Sequence, residues 1–187
     1  METTKERIVR ESLRLFSQYG YDSIGVSEIA KKSGITKPSL YYYFESKENL
    51  LKFIVEHFSE KLRTRLNRSY DTDGPLAVLL VSVTGTYLEF CTEHEEFIRL
   101  YLSLVFTPHE NASYHVVKTE AERIQSTIEG FFNTDPRFAQ KKALFAASFI
   151  GQMNMFATLI LNGYTTYSME LSKTIVTMFF NGAESIV

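Results

Sequence analysis

Cysteine is almost missing from this 187-residue chain. Cys91 stands alone, which excludes an internal disulfide and fits a reducing compartment, so a cytoplasmic location is expected. A solitary cysteine of this kind reads as a small buried apolar residue. No run of 18 apolar residues free of charge is expected, and the opening METTKERIVRES is charged throughout, which argues against a membrane span and a signal peptide. Alternating stretches of strand length, internal repeats and low-complexity tracts are also lacking. There is no glycine-rich phosphate loop, dinucleotide pattern, HExxH or nucleophile elbow, so nothing argues for an enzyme of known motif and no cofactor is expected. His109 and His115 lie six apart across a loop–helix junction, with His94 further away and no cysteine nearby. That spacing is too loose to announce a metal site, and none is expected.

What is present is apolar and aromatic residue at helical spacing, 44% and 14% of the chain, enough for a sizeable core. The net charge of −2 hides an asymmetry. Residues 1–68 hold 13 Lys and Arg against 9 Asp and Glu, and residues 69–187 hold 7 against 13. A polyanion would meet the first part and not the second.

The stretch that organises the chain is GVSEIAKKSGITKPSLYYYFESKENLL, from Gly25 to Leu51. Gly25 stands at a helix N-cap position with Glu28 three residues on. Val26, Ile29 and Ala30 form a small apolar face, and Ser33-Gly34 ends the helix because glycine takes the left-handed conformation at little cost. Ile35 fills the gap under the turn. Thr36 then caps a second helix whose first turn holds Pro38. That helix carries Lys37, Ser39, Tyr41, Tyr42 and Tyr43 around one apolar anchor, Leu40, with Phe44 closing it. Three adjacent tyrosines cannot all face one way, so at least one meets solvent or a ligand. A cation, hydroxyls and phenols on a short helix with little core surface are what phosphates and base edges accept. Helix, glycine turn and polar-aromatic helix form a helix-turn-helix, whose second helix reads the major groove. A plain helical hairpin with the tyrosines packed inside is the competing account.

The segment from Ile8 to about Val55 resembles the DNA-binding domain of the TetR family of transcriptional regulators. Leu15-Phe16, Tyr19-Gly20-Tyr21, Ile29-Ala30, Ser33-Gly34-Ile35, Leu40 through Phe44 and Ser46-Lys47-Glu48 carry the resemblance, which covers about a quarter of the chain. Gly25 stands where that family usually has a threonine cap and Ser27 where it often has an arginine. The resemblance implies an all-α homodimer: an N-terminal three-helix helix-turn-helix domain, residues 1–46, and a larger helical ligand-binding and dimerisation domain, residues 47–187, about nine helices in all. It implies a repressor that binds a palindromic double-stranded operator and is released by a small hydrophobic effector. The DNA-binding set is then Ser27, Thr36, Lys37, Pro38, Ser39, Tyr41, Tyr42, Tyr43 and Lys47, with Lys47 holding a phosphate. An all-helical enzyme of unlisted chemistry and a helical adaptor without DNA binding are the alternatives.

Further helices are expected in order. One runs from Thr3 or Thr4 to Tyr19, burying Ile8, Ser12, Leu15, Phe16 and Tyr19, with Gly20 as its stop. Ser46 caps another of about 20 residues, roughly 30 Å, ending near Leu66 and long enough to link both domains. After a break at Asn67–Pro75 come helices at 76–92, 95–106 and 112–132. Asp135-Pro136 opens a long one to Asn162-Gly163, and the last starts at Ser168. The final two are apolar on more than one face, which predicts a homodimer through them. The effector pocket is expected among the aromatics Phe58, Tyr87, Phe90, Phe97, Tyr101, Phe149 and Phe156, with Leu62 and Met153. Glu120, Arg123 and Gln152 are polar residues on otherwise apolar faces, where a buried polar group needs a partner.

Overall fold

The computed structural model describes residues 2–183. Among these residues there are ten α-helices, one 3-10 turn and no strand, so the chain is all-α. The helices are α1 (Thr4–Tyr19), α2 (Val26–Lys32), α3 (Lys37–Phe44), α4 (Lys47–Asn67), α5 (Leu76–Glu93), α6 (Glu95–Val105), α7 (Ala112–Phe132), α8 (Pro136–Ala139), α9 (Lys142–Leu161) and α10 (Met169–Ala183). The 3-10 turn, Arg68–Asp71, follows α4.

Packing sorts these elements into two compact units, each built from two separate stretches. The first holds the residues up to Ser59 together with Glu95–Ala121; the second holds Glu60–His94 and the residues from Glu122 on. Both α4 and α7 run out of one unit into the other.

In the first unit α1 is fixed at both ends. Thr3 is the cap: its Oγ1 accepts from the Glu6 N–H at 3.2 Å while Glu6 Oε2 accepts from the Thr3 N–H at 2.7 Å. Gly20 ends the helix at φ 82°. Ile8, Ser12, Leu13, Leu15 and Phe16 are buried as the spacing predicts, but Tyr19 is 55% exposed. The expected place of Tyr19 is taken by Tyr21, which turns back after Gly20 and sets its ring edge against Phe16 at 5.1 Å. α6 lies against α1, and α2 packs on both α1 and α3.

The second unit is centred on α5, which packs against α9 and α10. Phe132, Phe138, Phe145, Phe149 and Phe179 form a cluster with neighbouring ring centroids 5.0–6.4 Å apart. This cluster accounts for a departure from the expected helix pattern. Asp135 and Pro136 do open a helix, with Asp135 Oδ1 accepting from the Arg137 N–H at 3.0 Å, but α8 stops after one turn and Lys141 is non-helical at φ −115°. In one continuous helix Phe138 and Phe145 would be about 10 Å apart along the axis. The break brings their rings to 5.0 Å and buries both.

Two further findings add to the sequence reading. The Tyr70 ring stacks on Phe131 at 4.0 Å and 13°, and its hydroxyl donates to the Thr127 carbonyl at 3.4 Å. Gly130 makes room for it, since a Cβ there would run into that hydroxyl. Second, α5 and α9 are long and apolar enough to cross a membrane by length and composition. The expectation of no such stretch is therefore corrected. Residues 143–161 hold no charged side chain, and only polar residues such as Ser148, Gln152, Asn154 and Thr158 interrupt them.

Candidate nucleic-acid interface

The helix-turn-helix is held together by backbone bonds and by contacts with α1. Gly25 caps α2 with its carbonyl, which accepts from the Glu28 and Ile29 N–H groups; no side chain caps this end. At the other end Gly34 sits at φ 63°, in the left-handed region, and the Ile35 N–H closes on the Ala30 carbonyl at 3.0 Å. The Ser33 carbonyl, left over at this helix end, accepts from Arg7 Nε of α1 at 2.9 Å. The signal that finds Arg7, a contact 26 residues away, is not local.

Thr36 caps α3 as expected: its Oγ1 accepts from the Ser39 N–H at 3.3 Å and lies 3.0 Å from Ser39 Oγ. Leu40 and Phe44 are buried. Lys37, Pro38, Tyr41, Tyr42 and Tyr43 are exposed, Tyr42 at 84%, and Ser39 is half-buried. The three phenols are thus outside, which sets aside the buried-hairpin account. Tyr42 and Tyr43 meet edge to face at 5.4 Å, which limits how both rings move. Ser27 is exposed in the first turn of α2.

Glu45 ends α3 at φ 60°, and Ser46 starts α4 by accepting the Asn49 N–H on its Oγ at 3.0 Å. Lys47 follows, half-buried, with its ammonium 4.1 Å from the centre of the Tyr21 ring and 6.0 Å from that of Phe16. Burial lowers its pKa, and the charge of Asp22 works the other way. A cation held over an aromatic face beside the free N–H groups of a helix start is placed for an anion. Lys5, also from α1, lies 4.2 Å from the Phe53 ring centre and 5.6 Å from that of Phe44, so it steadies the C-terminal end of α3.

The expected effector residues fall into separate groups. In the first unit Phe58 stacks on Phe97 at 5.0 Å and Phe97 meets Tyr101 at 5.6 Å. Burial, and secondarily the charge of Glu120, raise the Tyr101 pKa, so Glu120 belongs to this group. Glu120 itself is buried, whereas Arg123, one turn on, is exposed. In the second unit the Tyr87 hydroxyl donates to Asn154 Oδ1 at 2.5 Å. Phe90 lies between Arg65 and His94, with centres 5.3 and 4.4 Å away. Phe149 is part of the phenylalanine cluster, and Leu62 and Met153 are buried. Phe156 is half-buried, as is Gln152, whose Oε1 has no hydrogen-bond partner among the described residues. Cys91 is buried, which pushes its thiol pKa up to about 12.

Residues 8–54 match the family model described as "Bacterial regulatory proteins, tetR family". The chain is 31% identical over 181 residues, 94% of its length, to YuxN of Bacillus subtilis, described as an uncharacterized HTH-type transcriptional regulator. It is 33% identical over 112 residues, 57% of its length, to IcaR of Staphylococcus aureus, the HTH-type negative transcriptional regulator of the biofilm operon icaADBC. It spans 62% of the length of the first and 56% of the second. Among solved structures, a TetR-like transcriptional regulator from Rhodococcus sp. RHA1 shares the fold at a TM-score of 0.78 and 18% identity, over 97% of this chain and 96% of that one.

Proposed function

We propose, on the match of residues 8–54 to the model of the tetR family of bacterial regulatory proteins, that this chain is a member of that family and a transcriptional repressor that binds a palindromic operator as a homodimer. The observation that carries the reading is the outward set of Lys37, Tyr41, Tyr42 and Tyr43 on a helix whose apolar anchors, Leu40 and Phe44, face in. The reader comprises residues 1–46, and residues 47–187 bind the effector and pair the subunits. Lys37 and the tyrosines meet base edges and phosphates; Ser27, Thr36, Pro38 and Ser39 line the approach; Lys47 holds a phosphate. Pairing runs through α9 and α10, which leave Leu144, Met155 and Met178 more than half exposed. Two readers about one helical turn of DNA apart give the affinity that one does not. Action on DNA places the protein in the cytoplasm.

The effector is a small hydrophobic molecule that binds better to the geometry unable to grip DNA. The long α4 starts at Lys47 beside the reader and ends in the other compact unit, so a tilt of it changes the spacing of the two readers. Phe58, Phe97, Tyr101 and Glu120 supply an aromatic surface with one carboxyl group as one part of the site.

Fluorescence anisotropy with a palindromic duplex from the gene's own upstream region, set against random duplex over a salt series, tests the reading. Lys47→Ala is expected to weaken binding to every sequence and to lower the salt slope by about one. Lys37→Ala is expected to relax base preference. Equal affinity for random and upstream DNA at every salt concentration would remove the proposal.

A further inference from the structure

Lys47 is held in place by aromatic rings and not by a carboxylate. Its ammonium lies 4.1 Å from the centre of the Tyr21 ring and 6.0 Å from that of Phe16, and among the described residues it forms no ion pair. Arg10 and Arg14 of α1 show the other arrangement, each 3.0 Å from an oxygen of Glu11, which offsets their charge. A carboxylate fixes a cation by cancelling its charge. The face of a ring fixes it and leaves the charge in force.

Backbone and ring are both set before any ligand arrives. Glu45, at φ 60°, reverses the chain within one residue, with the Ser46 N–H donating to the Phe44 carbonyl at 2.5 Å. This tight turn and the Ser46 cap fix where the Lys47 backbone stands beside the end of α3. What remains free is the flexible four-carbon stem of the side chain. Tyr21 takes up that freedom. Gly20, at φ 82°, turns the chain back after α1, so Tyr21 meets Phe16 edge-on at 5.1 Å and 66° and presents its face to Lys47. Burial first, then the charges of Glu48 and Asp22, push the Tyr21 phenol up to about 12, so the ring stays neutral and its hold on the ammonium comes from the face. Phe16, Tyr21 and Lys47 all belong to the first unit, so the arrangement needs no contact from the second.

We propose that Tyr21 is the positioning residue for Lys47: its ring seats the ammonium, partly stripped of water, where a DNA phosphate meets it. This rests on the reading of Lys47 as a phosphate contact. The seat lowers the cost of binding, because the side chain is ordered before DNA arrives. It acts on a contact to the DNA backbone, so it strengthens binding to every sequence and selects none. Loss of the seat leaves the charge, and with it the counterions that a phosphate contact releases.

Operator affinity of the full chain over a salt series, read by fluorescence anisotropy, supplies the test. Tyr21→Phe keeps the ring and is expected to bind as the unaltered chain does. Tyr21→Leu should weaken binding to upstream and random duplex alike by about three- to tenfold, the scale of one partly desolvated cation–ring contact. Its salt slope should stay unchanged, whereas Lys47→Ala lowers the slope. In the Lys47→Ala background Tyr21→Leu should cost nothing more. Pentafluorophenylalanine at position 21 keeps the shape and reverses the charge pattern of the ring face. It should behave as leucine does, and it replaces the leucine variant if that one does not fold. An equal loss from Tyr21→Leu with and without Lys47 would overturn the proposal, since plain packing would then explain it. So would a pentafluorophenylalanine variant that binds as the unaltered chain does, or a Tyr21→Phe variant as weak as the leucine one. A readout without DNA separates the seat from the reading it rests on. In the free protein the Tyr21 ring current should shift the Lys47 ε-methylene protons upfield, and Tyr21→Leu should return them to ordinary lysine values. Unshifted protons would remove the seat whatever the DNA result. Shifted protons beside undiminished binding by Lys47→Ala would leave the seat standing and remove the phosphate contact, and the proposal with it.

Discussion

Arg7 reaches from α1 to the Ser33 carbonyl, a bond across 26 residues that fixes the turn between the two helices of the reader. A charged donor to a half-buried carbonyl is worth about 1.5 kcal/mol, the low end for such bonds. Arg7→Ala should therefore lower the melting temperature by about 3–6 °C in a chain of this size, and Arg7→Lys should recover only part because it lacks the planar Nε donor. Differential scanning fluorimetry checks both. At this scale the sequence was legible where the cause is local. Thr3, Gly20, Gly34 and Thr36 each sit where a cap or a left-handed turn demands that residue type. Leu40 against three tyrosines also told inside from outside on α3. It was not legible for Arg7, whose partner is distant, or for Tyr19, which lost its place over Phe16 to a residue beyond the glycine stop.

Among the elements, α7 holds the clearest case of a residue that contradicts its own propensity. Gly130 sits in the last turn of a helix, where alanine would ordinarily gain about 1 kcal/mol. Here the added methyl meets the Tyr70 hydroxyl and disturbs a ring stacked at 4.0 Å on Phe131. Gly130→Ala is expected to cost about 1–3 kcal/mol, as overpacking does, and to become neutral or stabilising once Tyr70→Ala has cleared the space. Urea denaturation of the two single variants and the double gives the coupling directly; additive effects would mean that the ring and the glycine are unrelated. Helix existence and order were readable from period and punctuation along the whole chain. The end of α8 was not, because nothing in Gln140-Lys141 breaks a helix. The break follows from Phe138 seeking the phenylalanine cluster.

For the whole molecule, the apolar excess of α9 and α10 exceeds what their own unit covers. Leu144 and Met155 are about 60% exposed on a helix with no charged residue from Ala143 to its end. Met155→Glu places a charge in the proposed contact between copies. Sedimentation equilibrium is expected to show the mass falling from twice to once that of the 21.5 kDa chain, with operator affinity lost alongside it and helix content kept. A dimer that persists would move the contact off this face. Which residues meet an effector was the least readable part. Aromatic residues at helical spacing serve a core and a pocket alike, and Phe149 turned out to stand inside the phenylalanine cluster while Phe58, Phe97 and Tyr101 gathered elsewhere.

The interleaved build of the first unit bears on how such a reader is exchanged between proteins. Its helices up to Ser59 share their packing with a stretch that begins 36 positions later at Glu95, and α6 from that stretch lies directly on α1. Cutting the gene after position 46 or 59 to graft the reader onto a foreign sensor would strip α1 of its cover and leave bare the apolar surface that α6 conceals. A working chimera has to carry both stretches, or supply a substitute helix shaped to the same side of α1.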